Sequence, residues 1–115
     1  MEEEDIDLVV REDLQDWKVV EGSLPEDPRQ VRIELHRTFL FRSFRDVLAF
    51  MAEVGDFADK ANHHPRWENI FKTLRVYLTT WDIGHRISQR DVQLAQYFDR
   101  AYRKYRESAA EQHIE

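Results

Sequence analysis

Residues 58–81, ADKANHHPRWENIFKTLRVYLTTW, contain a change of hydrophobic period that decides the fold. Upstream of it, Phe44, Val47, Leu48, Met51, Val54, Phe57, Ala58 and Ala61 recur every three or four positions. That spacing predicts an amphipathic helix reaching Asn62. Ser43-Phe-Arg-Asp46 opens it as a capping box with Asp in place of Glu. Pro65 closes it, because the residue before a proline avoids the helical region. Downstream the period is two. Trp67, Asn69 and Phe71 alternate with Arg66, Glu68 and Ile70; Leu74, Val76, Leu78 and Thr80 alternate with Arg75, Tyr77, Thr79 and Trp81. Two strands with one buried face each are expected.

The same alternation of patterns extends outward. Trp17–Glu21 is rich in aromatic and β-branched residues and reads as a strand. Gly22–Arg29, with one Gly and two Pro, reads as a loop. Val31–Phe41 alternates over its length and pairs with the first strand as a hairpin; Arg37 interrupts its apolar face and suggests a bend or an edge. After a loop at Asp82–Arg86, Ser88-Gln-Arg-Asp91 repeats the helix-start signal, and Leu94, Ala95, Phe98, Ala101, Tyr102 and Tyr105 form the stripe of a closing helix. The expected fold class is α+β: a four-stranded antiparallel sheet with two long helices on one face, and room for a short helix before Trp17. The other face of the sheet is left to solvent or a partner subunit.

The chain has 115 residues and a net charge of −6. That length suits one domain. Residues 1–16 carry eight acidic side chains against Arg11, so the rest of the chain is close to neutral. We expect an acidic, partly flexible leader at 1–16, one domain at 17–106 and a frayed tail at 107–115. The absence of cysteine excludes disulfides, thiolate metal sites and thiol nucleophiles. No apolar run reaches the ~18–20 residues of a membrane span, and an acidic start is unlike a signal peptide, so a cytoplasmic protein is expected. Without a basic face, direct nucleic-acid binding is not expected.

Chemistry concentrates at Asn62-His63-His64-Pro65, where the helix hands over to the strand. Imidazole is the side chain whose ordinary pKa makes it both acid and base near neutrality. Two histidines at a helix C-terminus also serve as plain surface residues facing the negative end of the dipole. A metal site built from His63, His64 and His85 with Asp59 or Asp82 lacks the ordered spacing of a helical chelate, so no metal is expected. Ser43 and Ser88 are taken by helix caps, and neither a Gly-x-Ser-x-Gly elbow nor a glycine-rich phosphate loop is present.

The wider constellation is Asp59-x-x-x-His63-His64-Pro65, then Phe71, Trp81 and Asp91. With the phrases ANHHPRWENIFKTLRVYLTTWDIG and ISQRDVQLAQYFD, it resembles the pterin-4a-carbinolamine dehydratases across about Phe39 to Phe98. The family usually has Glu or Lys where this chain has Asp59, and many active members have His where it has Trp81. The resemblance implies a hydro-lyase that removes water from a 4a-hydroxytetrahydropterin, giving quinonoid dihydropterin without a metal or organic cofactor. It implies His63 as the foremost acid/base, His64 as its partner in catalysis or pterin positioning, and Asp91 as a further site residue; Asp59, one turn earlier on the helix, lies in reach to orient His63. It also implies that Thr79, Thr80 and Trp81 hold the pterin, with Pro65 beside them; Trp67, an aromatic residue on a strand, reads as core or pocket wall. An indole stacks or donates one hydrogen bond; it does not shuttle a proton. Asp91 is equally the third helical residue of the Ser88 capping box.

Two other readings use the same fold: a non-catalytic interaction or assembly factor, and a pterin-binding protein for a related cofactor. Family members form homodimers and homotetramers. Tyr97, Phe98, Tyr102 and Tyr105 offer more apolar surface than one core face needs, so part of the last helix is expected in a subunit contact.

Overall fold

The computed structural model describes residues 1–24 and 26–114, with side chains described to residue 106. Its elements are α1 (Glu3–Glu12), β1 (Lys18–Ser23), β2 (Val31–Leu40), α2 (Phe44–Lys60), β3 (Arg66–Ile70), β4 (Thr73–Leu78), a 3-10 turn (Trp81–Ile83) and α3 (Gln89–Ile114). All strand pairs are antiparallel, in the order β1-β2-β4-β3. The α+β class and the single sheet follow the periodicities. β1 runs through Gly22 and Ser23, which the sequence placed in the following loop; Pro25 of that loop lies outside the described residues.

One face of the sheet is dry. Leu35 and Phe39 of β2 and Leu74, Val76 and Leu78 of β4 are buried against Val47, Phe50 and Val54 of α2 and Phe98 of α3. Phe39 packs on Phe50 and Phe98, and Trp17 meets both Phe39 and Phe98 edge-on. Aromatic pairs of this kind contribute ~0.5–1.5 kcal/mol each beyond their buried area.

Segment 1–16, expected as a leader, supplies α1. Its acidic count conceals an apolar stripe at helical spacing: Ile6 and Leu14 are buried in the common core, with Val9 and Val10 packed against it. Glu3, Glu4 and Asp5 lie in its first turn, where negative charge meets the positive end of the helix dipole. The tail expected from residue 107 continues α3 in backbone to Ile114; its side chains lie outside the described residues.

Arg37 marks neither a bend nor an edge. β2 is an inner strand, and Arg37 points into the dry face with only a tenth of its side chain exposed. Its guanidinium lies over the rings of Phe39 and Tyr102 and pairs with Asp99, with Asp16 farther off. Asp99 also accepts the Trp17 indole N–H at 2.8 Å. The last helix likewise spends its aromatic residues inside the chain. Phe98 and Tyr102 are buried, Tyr97 stacks on Phe57 at 3.9 Å, and Tyr105 meets Phe41 and Phe50 edge-on. Tyr97 and Tyr105 remain half-buried, each packed against the core with the rest of its surface open.

Burial pushes the Asp99 carboxyl above the ordinary carboxylate value; the Trp17 and Arg37 contacts oppose this and Asp16 reinforces it. The folded state thus holds this proton more tightly than the unfolded chain. The stabilisation is complete below the ordinary value and is lost as pH rises through the raised one. Urea unfolding of wild type and Asp99→Asn at matched pH should show the wild type losing ground to the variant as pH rises through that window. Parallel pH curves would overturn the assignment.

Candidate active site

The site begins with how α2 ends. Asn62 takes the left-handed conformation, φ 52°. The Asn62 N–H donates to the Asp59 carbonyl, and the His63 N–H donates to the Ala58 carbonyl. This is a Schellman termination, for which Asn is the usual substitute when Gly is absent. It satisfies two carbonyls that the helix end would otherwise orphan, and it turns the chain sharply between helix and histidines.

The turn separates the two imidazoles. His63 is buried, and its Nε2 lies 2.6 Å from Oδ1 of Asp91. His64 is largely exposed, and its Nε2 lies 3.2 Å from Oδ1 of Asp59. The sequence assigned Asp59 to His63; the structure pairs it with His64, and Asp91 holds His63 instead. Spacing of four on a helix face does not survive a Schellman turn, because the chain has left the helix by residue 63.

Asp91 is fully buried and satisfied on both oxygens. Oδ2 accepts the Thr80 hydroxyl at 2.7 Å and the Ser88 backbone N–H at 2.8 Å. Ser88 Oγ accepts the Arg90 N–H at 3.2 Å and lies 2.6 Å from the Thr80 hydroxyl. Asp91 thus caps the Ser88 N–H as in a capping box, while Ser88 Oγ caps the second helical residue, Arg90, instead of the third. One oxygen thus serves the start of α3 and the other faces His63. A neutral His63 facing a carboxylate carries its proton on Nε2, which leaves the Nδ1 lone pair available. Nδ1 has no hydrogen-bond partner among the described residues.

A cavity of about 220 Å³ opens beside this pair, lined by Asn62, His63, His64, Thr79, Thr80, Trp81, Asp82 and Arg90. Thr80 is buried; Trp81 is 74% exposed at the mouth. Thr79 turns to the open face of the sheet and donates its hydroxyl to the Ile33 carbonyl at 2.9 Å. Pro65 lines a neighbouring cavity on that face. Trp67 does not join the site. It points to the dry face, with its ring edge-on to Phe98.

Arg90 is the cavity residue the sequence did not single out; Asp82 enters there only as a candidate metal ligand and Asn62 only as part of the histidine cluster. Asn62 was detectable as a left-handed helix stop. The Arg90–Asp82 pair, at 3.1 and 3.4 Å, spans a loop and left no periodic signal. Among the described residues no group of three or more His, Asp and Glu is placed to hold a metal ion, and no helix is long and apolar enough to cross a membrane.

Comparison with known proteins adds an independent line. The sequence pattern of the family described as pterin 4 alpha carbinolamine dehydratase matches residues 1–101. A candidate pterin-4-alpha-carbinolamine dehydratase of Jannaschia sp. (strain CCS1) is 44% identical over 84 residues, 73% of this chain and 76% of the relative. One from Rhodopseudomonas palustris (strain BisB18) is 40% identical over 93 residues, 81% of each chain. A crystal structure from Brucella melitensis, named transcriptional coactivator/pterin dehydratase, superposes with a TM-score of 0.75 at 26% identity. It covers 88% of this chain and 96% of its own.

The geometry predicts unequal costs for the two carboxylates. Asp91→Asn loses a charged acceptor shared by three donors and should destabilise the protein by about 1–3 kcal/mol in urea unfolding. Asp59→Asn, at an exposed pair, should stay within about 0.5 kcal/mol of wild type. Equal losses would contradict the roles assigned here.

Proposed function

The chain belongs to the pterin 4 alpha carbinolamine dehydratase family, and we propose that it dehydrates a 4a-hydroxytetrahydropterin to the quinonoid dihydropterin with His63 and His64 as acid and base. The observation that carries this reading is the buried His63–Asp91 pair at the wall of a cavity whose other imidazole is exposed. The reaction needs one proton removed from N5 and one delivered to the 4a-hydroxyl. Asp91 keeps the His63 proton on Nε2, so Nδ1 is the base for N5–H. His64, protonated from solvent and steadied by Asp59, donates to the hydroxyl. The C4a–O bond breaks with its electron pair, the N5 electrons form C4a=N5, and water leaves. Both proton transfers use imidazoles, so the step as written requires neither metal nor organic cofactor.

In this reading Thr79, Thr80 and Trp81 position the ring. The exposed indole offers a face on which a flat heterocycle stacks. It cannot titrate, so turnover rests on the two adjacent histidines alone. A second reading draws on the same exposed indole and on the coactivator half of the Brucella protein's name: a binding module that keeps the site but not the rate.

The test follows loss of chemically generated 4a-hydroxytetrahydropterin against its spontaneous dehydration. Wild type should accelerate the reaction with a bell-shaped pH profile. His63→Ala should lose about 10²–10⁴-fold in rate, the usual worth of general acid–base catalysis. Activity gained only in Trp81→His would favour the binding module. Silence from all three proteins would overturn the dehydratase reading.

A further inference from the structure

A second cavity, of about 350 Å³, lies on the open face of the sheet and shares His64, Thr79 and Trp81 with the first. The first is small beside the ~300–1,000 Å³ of ordinary ligand sites. A ligand larger than its ring therefore extends past Thr79 into the second, whose floor carries Arg32, Glu34, Arg66 and Tyr77. We propose that this second cavity binds an anionic group on the substrate's side chain, a phosphate ester or a carboxylate, through Arg32 and Arg66. The inference rests on the pterin site described above and deepens it.

The two arginines are built into place. Glu34 is 3% exposed although it belongs to the open face. Its Oε1 accepts from Arg32 Nε at 3.0 Å and from Arg66 Nη2 at 2.8 Å, and its Oε2 faces Arg66 Nε at 3.4 Å. The Arg66 guanidinium also lies 4.0 Å over the Tyr77 ring. Opposite Arg32 in register stands Gly22, where a side-chain carbon would come within 3.4 Å of Arg32 Nε. That is ordinary van der Waals contact, so the Arg32 guanidinium lies directly against the Gly22 backbone.

One carboxylate thus orients two guanidiniums and leaves one positive charge in excess between them. Each guanidinium has five N–H donors. Among the described residues, neither Nη atom of Arg32 nor Nη1 of Arg66 has a protein partner. Planar, pre-oriented donors with spare capacity are suited to the paired oxygens of a carboxylate or phosphate. The remaining carboxylate on this cavity, Glu26, is exposed on the rim, where solvent and salt screen it. His64 and His85 line the same wall.

The test is equilibrium binding, read by pterin fluorescence, of 6-hydroxymethylpterin, its phosphate ester and 6-carboxypterin, run beside the dehydratase assay. Wild type should bind at least one anionic probe about 10-fold more tightly than the neutral one, less so at high salt. The phosphate and carboxylate arms decide which anion is preferred. Arg66→Gln and Arg32→Gln should each shrink the anionic-to-neutral ratio, Arg66→Lys should retain part of it, and Glu34→Gln should enlarge it. A merely structural arginine would lower affinity for all three probes alike. Turnover with equal affinity for the three probes overturns this proposal and leaves the dehydratase reading standing. Anion preference without turnover does the reverse. No binding of any probe and no turnover overturns both.

Discussion

The carboxylate of Asp91 is the point on which the functional half of the molecule depends. A buried, ionised oxygen pair is tolerated only when donors surround it. Here the donors come from three places that are distant in sequence: the end of α2 through His63, the end of β4 through Thr80, and the start of α3 through Ser88. Each must arrive for the others to be satisfied. Helix docking, strand termination and imidazole orientation therefore form a single polar network, and deleting one member exposes the rest to the cost of an unpaired group.

A second network, farther from the cavity, holds the opposite end. Arg37 is an inward-facing charge on an inner strand, and its partners Asp99 and Asp16 tie α3 and the chain entering β1 to the sheet. The Trp17 indole shares Asp99. The dry face thus has a charged seam at its margin and aromatic packing at its centre. The α1 segment lies against that same core, so its acidic surface is the solvated side of a helix.

Periodicity made the fold legible. A period of 3.6 before Pro65 and of 2 after it recovers α2, β3 and β4, and the two Ser-x-x-Asp signals locate the long helices. What escaped was contact at long range or contact disguised by composition. Arg37 looked like a fault in a strand because its partner lies 62 residues away. The stripe of α1 was outnumbered by carboxylates. In the site, the residues were legible but their pairing was not. Helical spacing coupled Asp59 to His63, whereas the left-handed Asn62 redirects the chain and hands His63 to a carboxylate 28 residues downstream. Of the two readings of Trp67, core or pocket wall, strand alternation selects core: it faces away from Pro65's cavity.

The loop that carries Trp81 is closed at its base by two backbone bonds. Thr80 N–H donates to the Arg86 carbonyl and Arg86 N–H donates back to Thr80. Gly84 and His85, both with positive φ, complete the reversal between them. The clasp isolates what lies above it from the Thr80–Asp91–His63 network below. The rim can change in length and side chains while His63, Thr80 and Asp91 keep their geometry. Such a partition offers evolution a cavity mouth to vary at little risk to the buried wall beneath it.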